Sequence, residues 1–353
     1  MADPAQTLER RNRPTMRDVA ALAGVGIKTV SRVINDVPTV APELVQRVHA
    51  AAEKLGYRPN LTAASLRRTG ARTNTIGLLL EDVSNPYSSA VHRAVEDFAR
   101  DHGVLVLAGS LDENPERERE LARTLIDRRV DGLIVMPAGR DHRYVVAEQL
   151  AGTSFVFIDR PPSPLLADAI VSDNRGGAQV AVQHLLRTNR RRVGYFGDDL
   201  AIPTARLRFQ GFQDALEAAH LRADDEVIRH GLRTAEQARQ AAREVLATSP
   251  PEALFTSQNL VTIGVVGALH ELGLEQRVAL VGFDDVPLAD VVRPGITVMA
   301  QDPAAVGRLA ARRLFERMNG DQSPPAIHTL PTRLLVRGSG ELPLAAESEA
   351  AGP

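Results

Sequence analysis

The sequence predicts a small N-terminal α-helical headpiece of helix-turn-helix type, followed by a large α/β core of two Rossmann-like subdomains. Three observations carry this. Between residues 15 and 55, apolar residues recur at helical spacing in three short segments. From residue 75 onward, short apolar runs alternate with amphipathic helical stretches. The charge also changes sign along the chain. Residues 1–70 hold 11 Lys+Arg against 6 Asp+Glu, and the remainder holds 31 against 38. The 353 residues exceed the ~100–200 that one domain usually takes.

The headpiece spans residues 15–58, after a polar stretch, 1–14, that reads as a disordered tail. In its first segment Met16, Val19, Ala20 and Ala23 share a face; in its second, Val30, Val33 and Ile34 do. A glycine turn, Gly24-Val25-Gly26, joins the two. A third helix is expected over 42–55. Pro42 suits its first position, where a missing N–H costs nothing, and Gly56 suits its C-terminal cap. The outward face of the second helix offers Ile27, Lys28, Ser31 and Arg32, with Asn35 at its end. Lys and Arg can meet guanine edges or phosphates, and a short apolar chain can meet a thymine methyl. Taken alone, the same face is equally a mildly basic, solvated helix.

The wider pattern decides between these readings. D-V-A-x-x-A-G-V (18–25), T-V-S-R-V-I-N (29–35), G-Y-R-P-N (56–60) and A-x-x-L (63–66) resemble, in order and spacing, the headpiece and hinge of the LacI family of bacterial transcription regulators. The resemblance implies a DNA-contacting set of Thr15, Arg17, Ile27, Lys28, Thr29, Ser31, Arg32, Asn35, Asn60, Ala63 and Leu66. Ile27 and Lys28 would be the variable base-reading positions. It also implies a hinge helix with linker over 59–72, folding when two copies pair over a minor groove. There Ala63 would allow close approach, and Leu66 would be an apolar wedge at a central base step. A plain linker is the alternative. Two positions depart from the family: Gly26 stands where a capping Ser is usual, and Ala41 where Ser or Thr would precede Pro42.

The core reads as two strand–helix sets within residues 73–338. The first has runs at 76–80, 104–108, 132–136 and 155–159, with helices over 88–101, 116–129 and 143–151. A second set starts near 169–173. It continues with runs at 193–196, 253–256 and 279–283, and with helices over 175–187, 205–219, 234–247 and 259–272. A helix over 303–318 and strands near 326–336 cross back. The N-subdomain takes about 73–171 and 302–330, the C-subdomain about 172–299 and 331–338. This resembles the periplasmic-binding-protein-like sensor core of the same family. Residues 339–353 read as a disordered tail.

Open parallel sheets bind ligands beyond the carboxyl ends of their strands. The polar residues there are Asp82, Ser84, Asn85 and Tyr87; Asp159-Arg160; Ser172-Asp173-Asn174; Ser257-Gln258-Asn259; and Asp284-Asp285. Arg208 stands near the start of its helix, where the dipole disfavours a cation unless a partner compensates it. The family motif T-A-R-L-R-F-x-G-F (204–212) places that Arg in the effector cleft. The expected effector set is Ser84, Tyr87, Asp159, Asp173, Arg208, Gln258 and Asp284. Carboxylates, amides, one Arg and an aromatic suit a saccharide, with a nucleobase or another metabolite as the alternative.

Several function classes find no support. There is no cysteine and no apolar run long enough to span a bilayer. No dinucleotide, Walker A or nucleophile-elbow motif is present. His142, His184, His220 and His230 are scattered and read as surface residues, so no metal, cofactor or catalytic residue is expected. The resemblance implies a cytoplasmic, non-enzymatic transcription regulator, expected to act as a repressor. Its expected partners are a near-palindromic double-stranded operator, a small effector and a second copy of itself. A solute-binding receptor would need an export signal and no basic head. A DNA-binding regulator answering to a protein corepressor is the other alternative.

Overall fold

The computed structural model describes residues 14–34, 37–58 and 72–343. The chain forms two compact units divided at Thr73.

The N-terminal unit contains α1 (Met16–Ala23), α2 (Ile27–Ile34) and α3 (Pro42–Leu55). Thr15 caps α1 in a reciprocal box with Asp18, satisfying two N–H groups that a helix start leaves free. Gly24 ends α1 in the left-handed region at φ 62°. Arg47, from α3, donates to the Ala23 carbonyl at 2.6 Å, tying the two helices at this turn. Val19, Ala20, Ala23, Val30, Val33, Val48 and Ala51 form the core, so the apolar stripes of all three helices converge.

The larger unit holds two six-stranded sheets. The first is built from β1 (Thr75–Leu80), β2 (Leu105–Ser110), β3 (Gly132–Val135), β4 (Ser154–Ile158), β5 (Asp168–Ser172) and β11 (Ile327–Leu330). Its order is β11-β5-β4-β3-β1-β2, and every pairing is parallel. Helices α4 (Pro86–Asp101) and α11 (Pro303–Met318) cover one face; α5 (Pro115–Asp127) and α6 (Tyr144–Leu150) cover the other.

The second sheet contains β6 (Val193–Phe196), β7 (Ile228–Arg229), β8 (Ala253–Thr256), β9 (Ala279–Phe283), β10 (Thr297–Ala300) and β12 (Arg333–Leu335). Its order is β12-β10-β9-β8-β6-β7, with only β12 antiparallel. Helices α7 (Asn174–Leu186) and α8 (Pro203–Ala218) lie on one face, α9 (Ala235–Thr248) and α10 (Asn259–Glu271) on the other. Burial on both faces explains why these strands read as unbroken apolar runs. Glycines bring the paired helices together: a Cβ on Gly211 would stand 2.2 Å from the Arg175 carbonyl, and one on Gly264 2.1 Å from that of Ala235.

Four expectations need correction. The run at 169–173 was assigned to the start of the second set, yet β5 pairs with β4 in the first sheet. The connection between them, residues 159–167, contains no helix, so the strand–helix alternation breaks inside a sheet and mimics a boundary. Strands β7 and β10 were missed; β7 is only two residues long. The supposed tail from 339 is packed through Leu342. Ser339 and Leu342 are buried, and the Ser339 hydroxyl donates to the Leu280 carbonyl at 2.6 Å. Finally, two of the four histidines are not surface residues: His142 is buried beside Glu118 and His184, largely covered, contacts Glu341, whereas His220 and His230 are exposed.

Candidate functional site

Both sheets follow the order 2-1-3-4-5 in their first five strands. In each, the strand order reverses beside the first strand, so a crevice opens there at the carboxyl edge. The two crevices face one another around a cleft enclosing about 580 Å³, its mouth included. The N-subdomain contributes Glu81, Asn85, Tyr87, Ser88, Glu113, Asp159 and Arg160; the C-subdomain contributes Asp198, Arg208, Ser257, Gln258, Asn259 and Asp284.

Asp159 and Asp284 hold equivalent places. Each follows the fourth strand of its sheet, each has a positive φ (66° and 71°), and each donates its N–H to the neighbouring fifth strand at 2.9 Å. Asp tolerates this conformation better than most residues, and such strain concentrates at binding sites.

Arg208 is buried. Its Nε donates to Asn174 Oδ1 and its Nη1 to the Ser257 carbonyl, both at 2.7 Å. Asp284 Oδ2 stands 3.7 Å away, and the guanidinium lies 4.0 Å over the Phe283 ring. The helix begins at Pro203, so Arg208 lies beyond its first turn; Asp284 is the carboxylate that faces the buried guanidinium. Burial pushes the Asp284 carboxyl up, while Arg208 and Gln301 oppose the shift; Gln301 Nε2 donates at 2.5 Å. Arg160 is gripped by Glu113 at 2.5 and 2.8 Å and by Asp159 at 3.2 Å. Burial works against its charge, but these carboxylates outweigh burial and hold its pKa above the ordinary arginine value.

The subdomains also touch directly. Asn259 Nδ2 donates to Asn85 Oδ1 at 2.8 Å, and Arg140 Nη2 donates to the Ala201 carbonyl at 3.0 Å.

Of the effector set expected from sequence, Tyr87, Asp159, Arg208, Gln258 and Asp284 line this cleft. Ser84 and Asp173 do not. Ser84 is exposed and turns its hydroxyl to Asp82, 2.8 Å away. Asp173 is exposed and caps α7 by accepting from the Gly176 N–H. Their immediate neighbours, Asn85 and Asn174, are the ones turned inward. Sequence reasoning passed over Glu81, Glu113, Asp198 and Gln301. Glu81 and Asp198 each lie within two residues after a strand that was correctly located, so the carboxyl-edge rule could have found them.

In the headpiece, α2 presents Ile27, 46% exposed, with Lys28 and Arg32 also outward. Thr29 and Ser31 are half-buried, and Arg17 is exposed on α1. Thr15 is exposed, but its hydroxyl is engaged by Asp18 at 2.8 Å. The Gly26 carbonyl accepts from Thr29 and Val30, with open space where a side chain would stand. Asn35, Asn60, Ala63 and Leu66 lie outside the described residues.

Residues 15–60 match the family model described as bacterial regulatory proteins, lacI family, and residues 182–340 match a periplasmic binding protein-like domain. The transcriptional regulator CelR of Thermobifida fusca is 32% identical over 94% of this chain and all of its own length. The chain belongs to the lacI family. It is a helix-turn-helix transcriptional regulator with a two-subdomain sensor core. Among solved structures, a CelR–cellobiose complex aligns with a TM-score of 0.68 at 29% identity, over 93% of this chain and all of the other. A lac repressor dimer bound to operator and the anti-inducer ONPF aligns with a TM-score of 0.81 at 25% identity, over 95% of this chain and all of the other.

Proposed function

We propose that this regulator is a homodimeric repressor whose operator affinity is set by a saccharide bound between the two core subdomains. The observation that carries the reading is the inner wall of the cleft. Arg208, Asp284, Asp159, Asn85, Asn259, Ser257 and Gln258 place donors and acceptors on both sides of one space, which is what vicinal hydroxyls require. Arg208 Nη2 has no hydrogen-bond partner among the described residues and is the donor left for a ligand. Tyr87 supplies an apolar ring face. The cellobiose held by the related CelR favours the same class of ligand.

Arg17, Ile27, Lys28, Thr29, Ser31 and Arg32 contact operator DNA from the headpiece, with Asn35 and, in the hinge, Asn60, Ala63 and Leu66. Two-fold symmetry of the protein calls for a near-palindromic site. Effector binding sets the closure of the subdomains. Closure fixes the spacing of the paired hinges, and the coupling is reciprocal. The site of action is the cytoplasm, and no reaction is catalysed.

The test is selection of bound duplexes from a random pool at one stated salt concentration, followed by release with a saccharide panel. An enriched palindrome released by one sugar class is the expected result. No enrichment, with or without a small-metabolite extract, would overturn the reading.

A further inference from the structure

The cleft is strongly acidic. Glu81, Glu113 and Asp159 line it from one subdomain, Asp198 and Asp284 from the other, against only Arg160 and Arg208. Arg160 has every side-chain nitrogen engaged, and Arg208 keeps only Nη2, so one free guanidinium nitrogen stands against five carboxylates. Arg160 spends Nε on Asp159, Nη2 on Glu113, and Nη1 on Glu113 and the Pro137 carbonyl. Arg208 spends Nε and Nη1 on Asn174 and Ser257.

Three of the five carboxylates have their own partners: Glu113 and Asp159 bind Arg160, and Asp284 binds Gln301. The other two do not. The Glu81 carboxyl accepts no hydrogen bond among the described residues, and that of Asp198 accepts only the N–H of Asp199, at 2.7 Å. They follow β1 and β6, the first strand of each sheet, on opposite walls, and each feels the charge of the far subdomain. Burial holds Glu81 up at about 7, with Glu113, Asp159 and Asp198 adding to the shift and Arg160 opposing it. Burial also raises Asp198, with Glu113 adding and Asp199, Arg233 and Arg160 opposing.

We propose that the cleft selects its effector by charge: it accepts a neutral or amino saccharide, rejects the corresponding sugar acid or sugar phosphate, and owes this discrimination to Glu81 and Asp198. A hydroxyl or ammonium group can donate to both carboxylates as the walls close. A carboxylate or phosphate would bring a further negative charge between them, in a partly buried site where the effective dielectric is below that of water and repulsion is stronger. This rests on the reading that a saccharide occupies the cleft.

The experiment uses the full-length protein and matched sets of neutral mono- and disaccharides with their amino, uronic-acid and phosphate derivatives. Affinity is read by calorimetry and operator release by fluorescence anisotropy. The expected result is that every acidic member binds about tenfold or more weakly than its neutral parent. That gap should narrow in Glu81→Gln and again in Glu81→Gln/Asp198→Asn. An acidic member binding as well as its parent, or a gap unchanged in both variants, overturns the charge selection and leaves the saccharide site standing. If no member of any set binds, the saccharide reading falls, and the charge selection with it.

Discussion

Replacing Arg208 by methionine keeps most of the stem and removes the guanidinium. The loss comprises two hydrogen bonds of 2.7 Å, an ion pair at 3.7 Å and the contact over Phe283. Breaking a buried pair by removing one partner costs about 3–5 kcal/mol. The lower figure applies here, because Asp284 already sits above the ordinary carboxylate range and can take up a proton when its counter-ion is gone. That sets a pH signature. A carboxyl with a raised folded pKa binds its proton more tightly folded than unfolded, so stability falls as pH rises from the unfolded pKa toward the folded one. The deficit of Arg208→Met should therefore be about 3 kcal/mol at pH 8 and shrink toward pH 5. The assay is urea unfolding of the core in wild type, Arg208→Met, Asp284→Asn and the double variant. The coupling expected between the two sites is about 1 kcal/mol or more. A deficit independent of pH, or additive single effects, would refute the pairing of Arg208 with Asp284.

Other predictions follow from particular contacts. Glu81→Gln should leave thermal stability unchanged near pH 4 and raise it increasingly toward pH 8, since the wild-type carboxyl, held up at about 7, is harder to ionise folded than unfolded; melting curves across that range check it. Gly211→Ala must push its methyl against the Arg175 carbonyl, 2.2 Å away. The expected cost is about 1–3 kcal/mol, with a fall in effector affinity because Arg208 lies one turn away on the same helix. Ala41→Ser adds the side-chain cap that α3 lacks and should stabilise the headpiece by about 0.5–2 kcal/mol, read from its thermal unfolding. Leu66→Ala should lower affinity for the selected operator while sedimentation still reports a dimer; unchanged affinity would remove the wedge role.

Much of this was legible in the sequence because period and burial agree. Strands buried on both faces, such as β6, β8 and β9, were found to the residue, and α3 ended at Gly56 as its cap required. What escaped depends on pairing between distant segments. Strand β5 belongs to the first sheet only because Asp168 lies opposite Val156, which no local pattern records. Ser339 is held by residues some forty to sixty positions earlier, Thr297 and Leu280. At the site, the carboxyl-edge rule located the right loops but not the side chain turned inward. Asp173 was spent on capping a helix, and Asn174 met Arg208 instead. Arg208 was singled out partly for the cost of a cation near a helix start, but its helix begins at Pro203 and leaves it beyond the first turn.

The most direct test is the operator affinity of the full-length protein, measured at fixed salt across a titration of the saccharide that releases it. The account predicts a shift of about 5–150-fold, the range of ordinary allosteric coupling, and its loss in Arg208→Met. An operator affinity indifferent to every saccharide, or a full response surviving without the guanidinium, would contradict it.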